Sequence, residues 1–378
     1  MSPAAPIESE NSKKERKKIL IVYASAGAGH QKAAEAFYQY LKNNHPEFEL
    51  IIADILDYTP VFFRLLYSRG YIFVISRLSF LWYLLYRVSS LLADNPIVGY
   101  LDYLTALPFA RMLKREAPDA VVSTHFLTSS IITVFKNKFP DIRLKFISVI
   151  TDYNLHPLWI GRKVDAYVAA CDYVREELLK RGVLGEKIKV CGIPAKEKFY
   201  QPAARPTVAG KLGIEPSKFT FLIITGAIGL GPIEEIAQAL SGKMQLLVVC
   251  GNNQRLYQRL CRMNLPLVKP FPLIDYVDEL MSVSDAVITK AGGLTITESL
   301  AKGLPMIFFS SIPGLETANA RVISQNGCGF ISAGIKEITQ TALALKNNLE
   351  FYQKTVSNIK QFRKTDTLYN IYSELKNI

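Results

Sequence analysis

The stretch VYASAGAGHQKAAEAF, residues 22–37, runs from a strand through two glycines into a helix that opens on His30. An apolar run, a Gly-rich turn and an Ala-rich helical pattern, in that order, form the first unit of a doubly wound α/β sheet. The turn then lies at the carboxyl end of its strand, where such sheets bind ligands. A dinucleotide fingerprint GxGxxG needs a third glycine. Gly27 and Gly29 supply the first two, and Lys32 stands in the third place. Asp54, ending the next apolar run, keeps a dinucleotide cradle open as a reading. His30 fits a different chemistry. At a helix start the macrodipole disfavours the imidazolium, leaving a neutral ring that can accept a proton near neutral pH. A capping or structural histidine is the plainer alternative.

Outward from this unit, apolar runs alternate with helical patterns. They fall at 19–24, 48–54, 120–124, 144–150, 166–170 and 188–191, then at 219–225, 245–250, 267–269, 286–289, 306–309 and 329–331. Continuous Val/Ile/Leu runs predict strands buried on both faces, hence parallel sheets covered by helices. A length of 378 residues suits two such α/β domains better than one core. The stretch KFYQPAARPTVAGKLG, residues 198–213, reads as an irregular linker between them. This divides the chain into a disordered basic tail (1–17), a first domain (18–205), a second domain (206–348) and an amphipathic helical end (349–378).

The formal net charge of +12 favours anionic partners: a phosphorylated ligand, an acidic membrane surface or nucleic acid. Five cysteines without CxxC spacing predict free thiols in a reducing compartment. The N-terminus lacks the apolar core of a secretory signal. Residues 58–93 break the α/β rhythm, with no acidic residue, four arginines (Arg64, Arg69, Arg77, Arg87), Trp82 and nine further aromatics. Their longest uncharged stretch between arginines, residues 78–86, is nine residues, against about 20 for a membrane span. A basic aromatic helix lying in the membrane interface fits this pattern, as does a helix pair packed into the core. The absence of Asp and Glu favours the membrane. Basic residues interleaved with aliphatics suit lipid better than a solvated phosphate groove, so nucleic acid is not expected.

Four further constellations carry chemistry. In ITKAGGLTITESLAKGLPMIFF, residues 288–309, a strand ends in a Gly-Gly turn and a helix begins. Backbone amides of Gly292, Gly293 and Leu294, with Thr295, Ile296 and Thr297 behind them, are placed to hold a diphosphate, and Glu298 one turn later can accept both hydroxyls of a ribose, or is a first-turn glutamate favoured by the helix dipole. In ITGAIGLGP, residues 224–232, Gly226, Gly229 and Gly231, with Ala227 between them, make a second phosphate turn or a plain strand-to-helix turn. In SIPGLETANARVISQNG, residues 311–327, Glu316 and Asn319 are placed to hydrogen-bond sugar hydroxyls, or the segment is a surface loop. In TDYNLHPLWI, residues 151–160, Asp152 and His156 sit in a loop facing either the cleft or solvent. No acidic pair or His/Cys spacing calls for a metal, and no other cofactor is implied.

Together these motifs, with ACDYVREELLKRG, CGIPAKEKF and VCGNN, resemble the monogalactosyldiacylglycerol synthases and processive diacylglycerol β-glucosyltransferases of glycosyltransferase family 28, from about Lys18 to Asn358. The resemblance implies a GT-B fold, two Rossmann-like doubly wound domains facing across a cleft, with the C-terminal helix returning to the first domain. It implies a metal-independent, inverting transfer of glucose or galactose from a UDP-sugar to diacylglycerol at the cytoplasmic face of a membrane, by a peripheral protein drawn to anionic lipid. By position, His30 matches a base or acceptor-site histidine beside Gly29, and Leu294–Glu298 the nucleotide turn. Glu316 matches a sugar contact, Leu273 and Ile274 the residues flanking uracil, and Lys196 a phosphate-binding arginine. Asp152 is expected to orient His30 or the acceptor. Lys196 in place of arginine, Leu315 in place of glutamine and Pro272 in place of glycine depart from the pattern. A non-hydrolysing UDP-sugar epimerase on the same fold, and a lipid-surface binder without catalysis, stand as the alternative functions.

Overall fold

The structure, a computed structural model, describes residues 16–25, 27–65, 84, 88–90, 95–309, 314–376 and 378. Most of the expected basic tail and of the 58–93 segment, including Arg69, Arg77, Trp82 and Arg87, lies outside these residues.

The first sheet contains β1 (Lys17–Tyr23), β2 (Phe48–Asp54), β3 (Ala120–Ser123), β4 (Lys145–Val149), β5 (Ala166–Ala169) and β6 (Ile188–Val190). The second contains β7 (Thr220–Ile224), β8 (Gln245–Val249), β9 (Val268–Phe271), β10 (Ala286–Thr289), β11 (Met306–Phe308) and β12 (Gly329–Ile331). Each is six-stranded, in the orders β2-β1-β3-β4-β5-β6 and β12-β11-β10-β7-β8-β9, and every pairing is parallel. Strand order reverses between β1 and β3 in the first sheet and between β7 and β10 in the second. These are the switch points where doubly wound sheets open a crevice at their carboxyl ends.

The continuous apolar runs are explained by two-sided burial. Ile19, Leu20, Ile21 and Val22 of β1 are all fully buried. Leu20 and Val22 join one core cluster and Ile19 and Ile21 another, because alternate side chains leave opposite faces of a strand. The cluster holding Leu20 and Val22 continues through Ile193, Phe199, Ile296 and Leu300 to Leu222 and Ile224 of β7, so apolar packing runs from one sheet to the other.

Residues expected to form an irregular linker include a helix, Arg205–Leu212. Pro206 sits in its first turn, where a missing amide hydrogen is harmless, and Gly213 at φ 59° ends it. The Arg205 guanidinium grips both carboxylate oxygens of Asp285, at 2.7 and 2.8 Å, anchoring this helix to the second sheet. At the C-terminus, the helix Leu349–Phe362 leads to the helix Thr367–Ser373. Thr367 Oγ1 donates to the Cys191 carbonyl, and Leu368, Ile371 and Leu375 are buried with Ile19, Ile21 and Phe37 of the first domain. The Tyr372 ring stacks on His45 at 3.5 Å between centroids.

Candidate active site

His30 lies in the first turn of the helix Ala28–Asn44, whose N-cap is Gly27 at φ 102°. Only glycine holds that backbone without strain, and a Cβ there would meet no atom within 4 Å, so the turn is open. Because β3 pairs beside β1, the residue after β3 comes under the histidine. His30 Nδ1 lies 2.8 Å from the Thr124 carbonyl oxygen and 2.8 Å from Thr151 Oγ1, and Thr124 Oγ1 donates to the His30 carbonyl at 2.8 Å. A carbonyl oxygen only accepts, so Nδ1 carries the proton and the Nε2 lone pair remains as the basic site. Burial pushes the His30 pKa down to about 4, opposed by the hydrogen bond to Thr124, so the ring is neutral at pH 7.

Around it stand the buried rings of Trp159, 6.3 Å between centroids, and His125, 4.7 Å away and edge-on. His125 Nδ1 accepts from the Leu127 amide at 3.2 Å, and burial together with His30 holds its pKa well below the usual histidine value. His125, Thr124 and Thr151 went unnoticed in the sequence. The available signal was VVSTHF, residues 121–126, a buried strand ending in polar residues and a histidine.

From the second domain the helix Gly293–Lys302 approaches the turn that carries His30 with its N-terminus, which has no side-chain cap and Gly292 at the N-cap. A Cβ built on Gly29 would lie 4.0 Å from Leu294 Cβ, so the two glycine turns face each other at close range. Glu298 is 8% exposed, and burial raises its pKa to about 7 while Lys32, Lys198 and Lys196 pull it down. Lys32, which breaks the glycine fingerprint, thereby brings a first-domain cation to bear on a second-domain carboxylate. Lys196 is exposed, and Lys198 donates to the Asp275 carbonyl at 2.8 Å. Glu316 is buried, 3.6 Å from Lys290 Nζ. Leu273 is exposed, and Ile274 packs against the core.

Other expected site residues are committed to the protein. The Ile296 side chain is fully buried, and Thr297 Oγ1 is shared between the Gly293 carbonyl (2.9 Å) and the Tyr153 hydroxyl (3.0 Å), so both side chains are spent on packing and on the contact with residue 153. Gly226 is exposed at φ 77°, with no atom near a would-be Cβ. Gly229 is different: its Cβ would sit 2.1 Å from the Cys250 carbonyl oxygen, and the Ala227 carbonyl accepts from the Asn252 amide at 2.7 Å. That glycine turn is stapled to VCGNN by packing as well as being open at Gly226. His156 caps the short helix Pro157–Trp159, and its Nε2 lies 3.0 Å from Ser90 Oγ. Arg64 pairs with Asp57 at 3.0 Å on an exposed surface.

Asp152 does not orient His30, and Asn319 does not face a sugar, contrary to the expectation from their motifs. The groups hydrogen-bonded to His30 are Thr124 and Thr151, whereas the Asp152 carboxylate accepts from Asn319 Nδ2 at 3.1 Å. Burial, with Glu316 nearby, raises the Asp152 pKa to about 6 against the effect of that hydrogen bond. The Asn319 amide is consumed as well: Oδ1 accepts from the Tyr153 and Asn154 amides at 2.9 and 3.0 Å, and Nδ2 also donates to the Ala291 carbonyl at 3.2 Å. Fully buried and bonded on all sides, it has no capacity left for a sugar hydroxyl.

The arrangement brings the turn that carries a neutral imidazole against the N-terminal turn of the helix Gly293–Lys302, with Lys32 and Lys196 exposed near Glu298. It can accept a proton on one side and neutralise developing negative charge on the other.

Residues 30–195 match the family model for monogalactosyldiacylglycerol (MGDG) synthase, and residues 232–369 match the glycosyltransferase family 28 C-terminal domain. The chain is 28% identical over 360 residues to the processive diacylglycerol beta-glucosyltransferase of Bacillus pumilus, covering 91% of this chain and 90% of that protein. It is 31% identical over 344 residues to monogalactosyldiacylglycerol synthase 1, chloroplastic, of Arabidopsis thaliana, covering 86% of this chain and 64% of the plant protein. The crystal structure of Acinetobacter baumannii MurG superimposes with a TM-score of 0.62 at 15% identity, over 96% of this chain and 100% of that one, a likeness of fold.

Proposed function

We propose that this chain, matched over residues 30–195 by the monogalactosyldiacylglycerol synthase model and over residues 232–369 by that of the glycosyltransferase family 28 C-terminal domain, belongs to that group of GT-B glycosyltransferases and moves a hexose from a UDP-sugar to the hydroxyl of diacylglycerol, inverting the anomeric carbon. The observation that carries this reading is the approach of the Gly29–His30 turn to the amino end of the helix Gly293–Lys302. In the reaction, His30 Nε2 takes the proton of the glycerol hydroxyl. The oxygen's electron pair attacks the anomeric carbon from the face opposite UDP, the bond to the β-phosphate oxygen breaks, and UDP leaves with the electron pair. Amides at Gly293 and Leu294, the open Gly226 turn and Lys196 stabilise the departing diphosphate, while Glu298 receives the ribose hydroxyls and Glu316 the sugar. The diphosphate's charge also raises the His30 pKa from about 4 toward the value a general base needs.

Lipid delivery is supported by an apolar surface. Val61 and Phe62 are 63% and 78% exposed, and Ile97, Tyr100, Leu101 and Leu104 are exposed at helical spacing along the helix Pro96–Thr105. Among the described residues no helix is long and apolar enough to cross a membrane. We assign this surface and the 58–93 segment to docking on an anionic membrane.

The decisive experiment is His30→Ala. Transfer is expected to fall by about 10²- to 10⁴-fold while UDP binding, read by calorimetry, persists. Near-normal transfer removes His30 from the mechanism. Incubating the enzyme with diacylglycerol vesicles and labelled UDP-glucose or UDP-galactose identifies the donor. Interconversion of the sugar nucleotide without lipid would instead identify an epimerase. The proposal includes metal independence, so full activity is expected in excess EDTA.

A further inference from the structure

The helix Leu315–Gln325 presents Glu316 and Asn319 three positions apart, on one face. Glu316 pairs with Lys290 at 3.6 Å, and Asn319 reaches the first domain at residue 153. The Asn319 amide makes four hydrogen bonds, two of them to consecutive backbone amides, Tyr153 and Asn154, and one to Asp152. The fourth goes to the Ala291 carbonyl, in the turn that launches the helix Gly293–Lys302. The same loop is gripped twice more from the second domain. The Tyr153 hydroxyl lies 3.0 Å from Thr297 Oγ1, and the Thr151 carbonyl oxygen lies so close to Gly293 that a Cβ there would approach it to 2.1 Å. At its other end the loop supplies Thr151 Oγ1, 2.8 Å from His30 Nδ1. Only a planar amide offers two acceptor and two donor directions from one buried point, which accounts for asparagine at 319.

We propose that Asn319 is a positioning residue: it locks residues 151–154 to the donor-binding domain and, through Thr151, holds the His30 ring in its proton-accepting pose. The base is thereby aligned by the same helix that carries the sugar contact Glu316. This rests on the reading of His30 as the base, and it replaces the expectation that Asn319 touches the sugar.

A double-mutant cycle on kcat tests it, with UDP affinity measured in parallel. Asn319→Ala and Thr151→Val are each expected to lower kcat about 10- to 100-fold, the order of loss that follows small misplacement of a catalytic group. UDP affinity is expected to stay unchanged, and Thr151→Ser to restore kcat. The double variant is expected to lose no more than the worse single one, because both act along one path. The proposal is overturned if Asn319→Ala raises the donor KM with kcat intact, which would make it a sugar contact. It is also overturned if the losses multiply, which would make the two residues independent. If Asn319→Ala does not fold, Asn319→Asp carries the same cycle, since it keeps the acceptor for both amides and loses only the donors. Normal activity in His30→Ala would overturn the base reading itself. An inactive His30→Ala variant with multiplicative losses would overturn the clamp alone.

Discussion

Glu298→Gln is the substitution whose outcome the site predicts in most detail. Glu298 is 8% exposed, with its pKa raised to about 7 by burial from an ordinary 4.5. The folded state therefore binds the proton more tightly than the unfolded chain. The stability this contributes is complete below about pH 4.5 and is lost as pH rises through about 7. A shift of that size corresponds to at most about 3 kcal/mol by pH 8. Glutamine has no charge to desolvate, so the variant is expected to match the wild type near pH 5 and to melt higher than it at pH 8. Donor affinity should move the other way. The charged fraction of Glu298 climbs from roughly a tenth at pH 6 to roughly nine-tenths at pH 8, and the ribose hydroxyls donate best to the charged form. Loss of one charge-assisted hydrogen bond is worth about 1.5–3 kcal/mol, or roughly 10- to 150-fold in UDP affinity at pH 8. Calorimetric melting and UDP titration of both proteins from pH 5.5 to 8.5 supply the data. The differences between them cancel the titration of UDP itself. Parallel melting curves, or UDP affinities that keep a constant ratio across the range, would refute the assignment of a buried, titrating carboxylate to the ribose.

His30 should titrate by nuclear magnetic resonance at about pH 4 in the free protein and shift upward when UDP is added. Because its folded pKa is depressed, the unfolded chain protonates first, and stability is lost as pH falls from about 6.5 toward 4; His30→Gln should remove that component from melting curves recorded over this window. Gly229→Ala should lower the melting temperature and donor affinity together, by about 3 kcal/mol or more of stability, since its Cβ would meet the Cys250 carbonyl oxygen at 2.1 Å. Gly226→Ala, with open space but φ 77°, should lose only about 1–2 kcal/mol; equal losses at the two positions would show that the turn is not stapled to residues 250–253.

Much of this protein was legible before any fold was known. Each apolar run expected to form a strand has a strand in the structure, as at Phe48–Asp54, Ala286–Thr289 and Gly329–Ile331, because burial on both faces of a parallel sheet imprints itself residue by residue. The glycine turns at Gly27–Gly29 and Gly292–Gly293 were equally visible, since a backbone that must turn sharply and present its amides tolerates few other residues. The helix Arg205–Leu212 was missed because two prolines within five residues, Pro202 and Pro206, outweighed a short apolar pattern.

What tertiary structure alone decided is which side chains meet. Nothing in TDYNLHPLWI says that Thr151 rather than Asp152 reaches His30, and nothing in GLETAN says that Asn319 is spent on the backbone of residue 153. Thr124 and His125 lie about 95 residues from His30, and β3 is brought beside β1 only by the order in which the strands assemble. Local sequence records how deeply each residue is buried and how its backbone bends. An asparagine's four hydrogen-bonding directions read the same whether a sugar or a neighbouring loop fills them, and only packing across the two sheets chose between the two.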